Sequence, residues 1–300
     1  MSEKKLRGSI TALVTPFDKN LKIDLKTFKR LLKMQTQGGS DGVLVGGTTG
    51  EGSTLSNEEK LLLLDVAAST AGQDLTIVAS CGDNDTKKAA DFAQTLSQSG
   101  ADYILAITPF YNKCNDEGMY RHFCSIADKS AKPIIIYNVP SRTGCCVNTE
   151  TLRRLKTHGN VVGIKQADAD MDVFVSTSLL CDDNFKLFCG NDNLIAPCMA
   201  AGADGVISVA ANLTPSVVKK IVDDYDKGNA AEGTELYKEF YPLFKALFCD
   251  VNPIPIKYAL KTLGVPSCFL RLPLCFPSEK NAKTIQQILT VYDVRLKYDE

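Results

Sequence analysis

Short runs of β-branched and aliphatic residues recur along the chain, each followed by a longer stretch in which apolar residues return every three or four positions. The runs predict strands at residues 10–15, 42–45, 76–80, 103–107, 133–137, 161–165, 185–189 and 205–209. Between them the helical period predicts helices at, among others, 56–71, 86–98, 117–130 and 215–226. Ser56, with Glu59 three residues later, carries the signature of a capping box. The strands are apolar almost throughout, as a parallel sheet covered on both faces requires. Eight strand–helix units, with no Gly/Ser/Pro linker or charge run between them, predict an α/β protein whose residues 1–229 form a closed (β/α)8 TIM barrel. Residues 230–300 keep helical character at 230–248, 256–263 and 278–292, punctuated by Pro253, Pro255, Pro266 and Pro273. They read as a C-terminal helical extension packed on the barrel.

Composition narrows the function classes. The chain has 300 residues, 44% hydrophobic and 23% charged, ample for a buried core. Its 34 basic residues balance 35 acidic ones, which leaves no electrostatic footprint for nucleic acid or an anionic membrane. The start, Met1 to Arg7, is polar and lacks an apolar signal core, and no apolar run is long enough to span a bilayer. Eleven cysteines without a C-x-x-C pair argue for reduced thiols in a cytoplasmic protein. The two histidines, His122 and His158, supply a metal site or a Ser-His triad poorly and read as surface or half-buried helix residues.

In a barrel of this kind the active site lies at the C-terminal ends of the strands. The second strand ends in Gly46-Gly47-Thr48-Thr49-Gly50-Glu51 and the fourth in Thr108-Pro109-Phe110-Tyr111. The fifth ends in Tyr137-Asn138-Val139-Pro140-Ser141-Arg142-Thr143-Gly144, the sixth in Lys165 and the seventh in Gly190-Asn191-Asp192. Lys165 closes an apolar strand with nothing acidic beside it in the chain. An ordinary lysine is roughly one part in 2,500 free amine at pH 7, whereas one held in low dielectric can attack a carbonyl. The Thr-Thr loop offers backbone N–H groups and hydroxyls suited to a small carboxylate, and lacks the lysine that a nucleotide P-loop needs. Taken singly, each of these has a plain reading: a solvated charge, a tight turn, a core tyrosine, a surface Arg142 in a Pro- and Gly-bounded loop. On one rim they suit Schiff-base chemistry on a 2-oxo acid, with a phenol–hydroxyl chain moving protons. Gln166, next along the strand, is expected on the opposite face from Lys165.

Gly-Thr-Thr-Gly-Glu at 47–51, Tyr-Asn-Val-Pro-Ser-Arg-Thr-Gly at 137–144 and Gly-Ile-Lys at 163–165 resemble the dihydrodipicolinate synthase family. That family belongs to the pyruvate-dependent class I aldolases, which include N-acetylneuraminate lyase. The similarity runs from Ala12-Leu13-Val14-Thr15-Pro16 to Asn252-Pro253-Ile254-Pro255-Ile256-Lys257 and Leu270-Arg271-Leu272-Pro273. It implies condensation of pyruvate with L-aspartate 4-semialdehyde on the route to diaminopimelate and lysine, by a homotetramer of tight dimers that uses no metal or organic cofactor. It assigns Lys165 as the Schiff-base lysine, and Tyr137, Thr48 and Tyr111 as a proton relay whose Tyr111 comes from a neighbouring subunit. Thr49 then contacts the pyruvate carboxylate, Arg142 the carboxylate of the aldehyde substrate, and Gly190 and Ile207 complete the substrate-binding set. Arg142 favours the synthase over sugar-acid aldolases and lyases of the same family, which remain the alternative; a catalytically silent barrel is a distant third. Lysine-inhibited members use a histidine pair, a glutamate and a tyrosine to bind lysine. Here the matching positions hold Asn57, Lys60, Lys88 and Phe110, with Gly52 and Ser53 nearby and Asn84 retained, which predicts insensitivity to lysine.

Overall fold

In a computed structural model describing residues 4–296, the apolar runs become β1 (Gly8–Ala12), β2 (Gly42–Val45), β3 (Thr76–Cys81), β4 (Tyr103–Ile107), β5 (Ile134–Asn138), β6 (Val161–Gln166), β7 (Lys186–Cys189) and β8 (Gly205–Ser208). They pair in parallel in sequence order, and β8 returns to β1 to close the barrel. The helices are α1 (Leu25–Gln37), α2 (Asn57–Ala71), α3 (Thr86–Leu96), α4 (Asp116–Lys129), α5 (Pro140–Thr143), α6 (Thr149–Lys156), α7 (Met171–Ser178), α8 (Ile195–Ala200), α9 (Pro215–Asp226), α10 (Ala230–Ala246), α11 (Ile254–Thr262) and α12 (Glu279–Val291). Met1, Ser2, Glu3 and the last four residues of the extension lie outside the described residues.

Alternation along each strand divides the core in two. Ile10, Leu44, Val78, Leu105, Ile135, Phe188 and Ile207 fill the barrel interior. Their neighbours Val43, Ile77, Ile104, Ile136, Ile164, Leu187 and Val206 face outward against the helices. Both faces being buried is what made the strands read as continuous apolar runs. The Ser56–Glu59 capping box forms at the start of α2, with Glu59 N–H to Ser56 Oγ at 3.1 Å and Ser56 N–H to Glu59 Oε2 at 3.0 Å.

Several expectations need correction. The first strand is Gly8–Ala12 and not 10–15. Beyond it the Asn212 side chain takes the place of a ladder partner: its Nδ2 donates to Ala12 O at 2.8 Å and its Oδ1 accepts from Val14 N–H at 3.1 Å. Arg142 sits in the single turn α5 and not in a loop. Pro140 opens that turn, and Gly144, at φ 70°, closes it with its N–H on Pro140 O. His122 is on α4 but only 3% exposed, because it shares the buried stripe of Met119, Phe123 and Ile126. His158 is half-buried but lies past the end of α6, its Nε2 3.0 Å from Asp128 Oδ1.

Residues from Ala230 onward supply α10–α12. The phenol of Tyr237, on α10, donates to Asn193 O at 2.5 Å, beyond the end of β7. From α11, Lys257 reaches back to Glu51, at the end of the β2 loop. The extension therefore braces the rim that carries the candidate residues. Among the described residues no helix is long and apolar enough to cross a membrane.

Candidate active site

Lys165 lies on the inward face of β6, one position before the strand ends. It is in register with Tyr137 of β5 on one side and Phe188 of β7 on the other. The side chain is 5% exposed, and its Nζ lies 4.4 Å from the centre of the Tyr137 ring, a cation–π contact in a dry environment. Gln166 points outward as expected, where its Oε1 accepts from Asn138 Nδ2 at 2.7 Å. The acidic group missing from the flanking sequence is supplied by Asp192 after β7. This carboxylate is 1% exposed and accepts from Ser208 Oγ at 2.5 Å and from the N–H groups of Val209 and Ala210, both at 2.9 Å. Burial pushes its carboxyl pKa up, against the pull of those three hydrogen bonds and the Lys165 charge.

Thr48, Tyr137 and Arg142 line one cleft of about 670 Å³ at the strand C-termini, together with Glu51, Phe110 and Asn252. Thr49 lies behind that wall, 2% exposed, its Oγ1 accepting from Asn252 Nδ2 at 3.0 Å. Arg142 is exposed at the mouth, and its guanidinium donates to Asn252 O at 3.1 Å. Ile207 is fully buried in the barrel interior with Tyr137 and Phe188. Gly190 sits where β6 and β7 converge: a Cβ there would lie 2.6 Å from the Ala167 Cβ and 3.0 Å from Gln166 O, so only glycine fits. Lys165, Thr49, Gly190 and Ile207 are not among the residues that line the cleft, and neither is Tyr111. Tyr111 is 90% exposed and adopts φ 71°.

The Thr-Thr loop is shaped by close backbone packing. A Cβ on Gly52 would lie 1.8 Å from Gly46 O. Glu51, at φ 54°, ends the loop, and its carboxylate, 1% exposed, meets Lys257 Nζ at 2.5 Å and accepts from Arg271 N–H at 2.9 Å. Lys257 also donates to Phe269 O at 2.5 Å and lies 4.3 Å over the Phe17 ring. Burial pulls the Lys257 pKa down, while Glu51 raises it. Arg271 forks onto Glu59 at 2.6 and 2.8 Å and onto Thr54 O at 2.8 Å. The quoted motifs contained Asn252, Lys257 and Arg271 but no role for them. The one visible signal was a lysine inside the apolar run Ile254–Thr262, where a charge needs a buried partner.

The cleft also reaches Gly52, Ser53, Asn57, Lys60 and Phe110, five of the positions that match the lysine pocket of inhibited family members. Lys60 is half-buried, its pKa drawn down by burial and its Nζ 5.3 Å over the Phe92 ring. A smaller cavity of about 300 Å³, between α1, the start of α9 and the C-terminal helices, contains none of the candidate residues. All eleven cysteines are free thiols. Among the described residues, no three His, Cys, Asp or Glu side chains converge as a metal site.

A parallel eight-stranded barrel with a buried lysine on an inner strand end, beside a tyrosine and a Gly-Thr-Thr-Gly loop, defines a lyase of the class I aldolase type. Within that class the chain belongs to the dihydrodipicolinate synthetase family, which it matches over residues 5–292. The 4-hydroxy-tetrahydrodipicolinate synthase of Chlorobaculum parvum is 39% identical over 287 residues, 95% of this chain and 97% of that one. The dihydrodipicolinate synthase of Aquifex aeolicus, a crystal structure, superposes with a TM-score of 0.94 at 35% identity, covering 97% of this chain and 100% of that one. The chloride-inhibited dihydrodipicolinate synthase of Acinetobacter baumannii, solved in complex with pyruvate, gives 0.94 at 33% identity over the same shares.

Proposed function

We propose that the protein condenses pyruvate with L-aspartate 4-semialdehyde to 4-hydroxy-tetrahydrodipicolinate, with Lys165 as the Schiff-base nucleophile. The observation that carries the reading is the placement of Lys165, buried, in register with Tyr137 and 4.4 Å from its ring. The free amine attacks the ketone carbon of pyruvate, and the carbinolamine loses water to give an iminium. The iminium draws electrons from the adjacent methyl, which gives up a proton and becomes the enamine carbon. That carbon attacks the aldehyde, and the amino group of the second substrate then closes the ring by displacing Lys165. Tyr137 and Thr48 pass the protons lost and regained; Tyr111, solvent-facing in one chain, completes the relay in a neighbouring subunit's site of a homotetramer. Thr49 holds the pyruvate carboxylate, Gly190 and Ile207 shape its pocket, and Arg142 at the mouth holds the carboxylate of the semialdehyde.

A steady-state assay with both substrates tests this reading. Arg142→Ala raises KM for the semialdehyde about 10-fold or more, as expected for a charged hydrogen bond, and leaves pyruvate adduct formation intact. Unchanged semialdehyde kinetics, or better turnover of a 2-keto-3-deoxy sugar acid by the unaltered protein, contradicts it.

A further inference from the structure

Asn252 lies between α10 and α11 and touches the site from the C-terminal extension. Its main-chain carbonyl accepts from Arg142 and its Nδ2 donates to Thr49 Oγ1, so one residue stands between two elements more than a hundred positions away in the chain. The side chain is 7% exposed and lines the cleft, and its Oδ1 is buried with no hydrogen-bond partner among the described residues. An unpaired buried acceptor is unfavourable, and an apolar side chain of the same size would avoid it. Nothing in the packing therefore explains an amide here; its one side-chain hydrogen bond does. A threonine hydroxyl has one proton and two lone pairs. When Nδ2 of Asn252 occupies a lone pair, the Thr49 proton must point elsewhere.

We propose that Asn252 is a positioning residue: its side-chain amide presets the Thr49 hydroxyl so that the proton faces the carboxylate of the 2-oxo acid before that substrate arrives. The inference rests on the role of Thr49 stated under the proposed function. Preorganisation of this kind appears in the binding of the 2-oxo acid more than in the chemical step.

The test is a double-mutant cycle read by pyruvate KM, kcat and melting temperature on the full chain. Asn252→Leu raises pyruvate KM about 3- to 10-fold. It leaves kcat at saturating substrates within about 2-fold and does not lower the melting temperature, because the unpaired Oδ1 goes with the amide. In a Thr49→Val background the same substitution raises KM no further. Asn252→Asp keeps the size and shape but can only accept, so it captures the Thr49 proton and repels the incoming anion; its pyruvate KM rises more than that of the leucine variant. Multiplicative effects in the cycle, or a fall in kcat and melting temperature together with KM, overturn the proposal. A parent protein that forms no borohydride-trapped pyruvate adduct instead overturns the underlying reading of the site, and the two failures are thereby told apart.

Discussion

At the scale of single residues, burial decides chemistry. His122 illustrates this away from the site. It is 3% exposed, its Nδ1 lies 2.9 Å from Thr86 Oγ1, and its Nε2 is buried without a partner among the described residues. Desolvation lowers its pKa from 6.5 to about 4. Between those values the unfolded chain takes up a proton that the folded chain does not, so acidification favours unfolding. The penalty grows as pH falls from about 6.5 and levels off below about 4, reaching roughly 3 kcal/mol. Urea unfolding from pH 7 to 4 should show this slope, and His122→Asn should flatten it. An equal slope in both proteins contradicts the assignment. The sequence predicted His122 at the surface or half-buried, although it falls on one helical stripe with Met119, Phe123 and Ile126. The placement of Lys165, Tyr137 and Thr48 was legible: each falls at or just past the end of a recognisable strand. Asn252 was not, because its partners are Thr49 and Arg142 and no local pattern announces a contact across 203 residues.

At the scale of elements, the Gly-Thr-Thr-Gly loop, shaped by close backbone packing, is tied to the C-terminal extension by a buried ion pair. Glu51 and Lys257 are 1% and 0% exposed, and each spends its remaining capacity on the extension, at Arg271 N–H and Phe269 O. Removing one partner strands the other charge in the interior, whereas removing both with apolar replacements is often neutral. Lys257→Met should therefore cost about 3–5 kcal/mol in denaturant unfolding, and the double change Glu51→Leu/Lys257→Met should recover most of it. A single variant as stable as the parent would show that the pair is not what holds the loop. The eight strands could be read because each is a run bounded by turns, and their ends moved by two residues or fewer except at β1. There the ladder passes from backbone to the Asn212 side chain, which no periodicity encodes. The four-residue turn α5 is likewise too short for a helical period to register, although Pro140 and Gly144 mark both its ends.

At the scale of the molecule, the barrel brings the C-terminal strand ends, from Ala12 of β1 to Ser208 of β8, to one rim, and the extension covers that rim from the side. Two features point beyond the single chain. Tyr111 is 90% exposed in a left-handed conformation unusual for a tyrosine, and the proposed relay takes it from a neighbouring subunit. The cleft continues to Asn57 and the half-buried Lys60, whose positive charge would repel the ammonium of a bound lysine. Steady-state turnover should accordingly be unaffected by L-lysine up to low-millimolar concentrations; half-inhibition in that range contradicts insensitivity.

The central claim is that Lys165 forms the covalent intermediate, and chemical trapping tests it most directly. The protein is incubated with pyruvate, reduced with borohydride, digested and mapped by mass spectrometry. The account predicts one reduced pyruvyl adduct, on the peptide bearing Lys165, dependent on pyruvate and abolished by Lys165→Ala. An adduct on another lysine, or none while turnover persists, would contradict it.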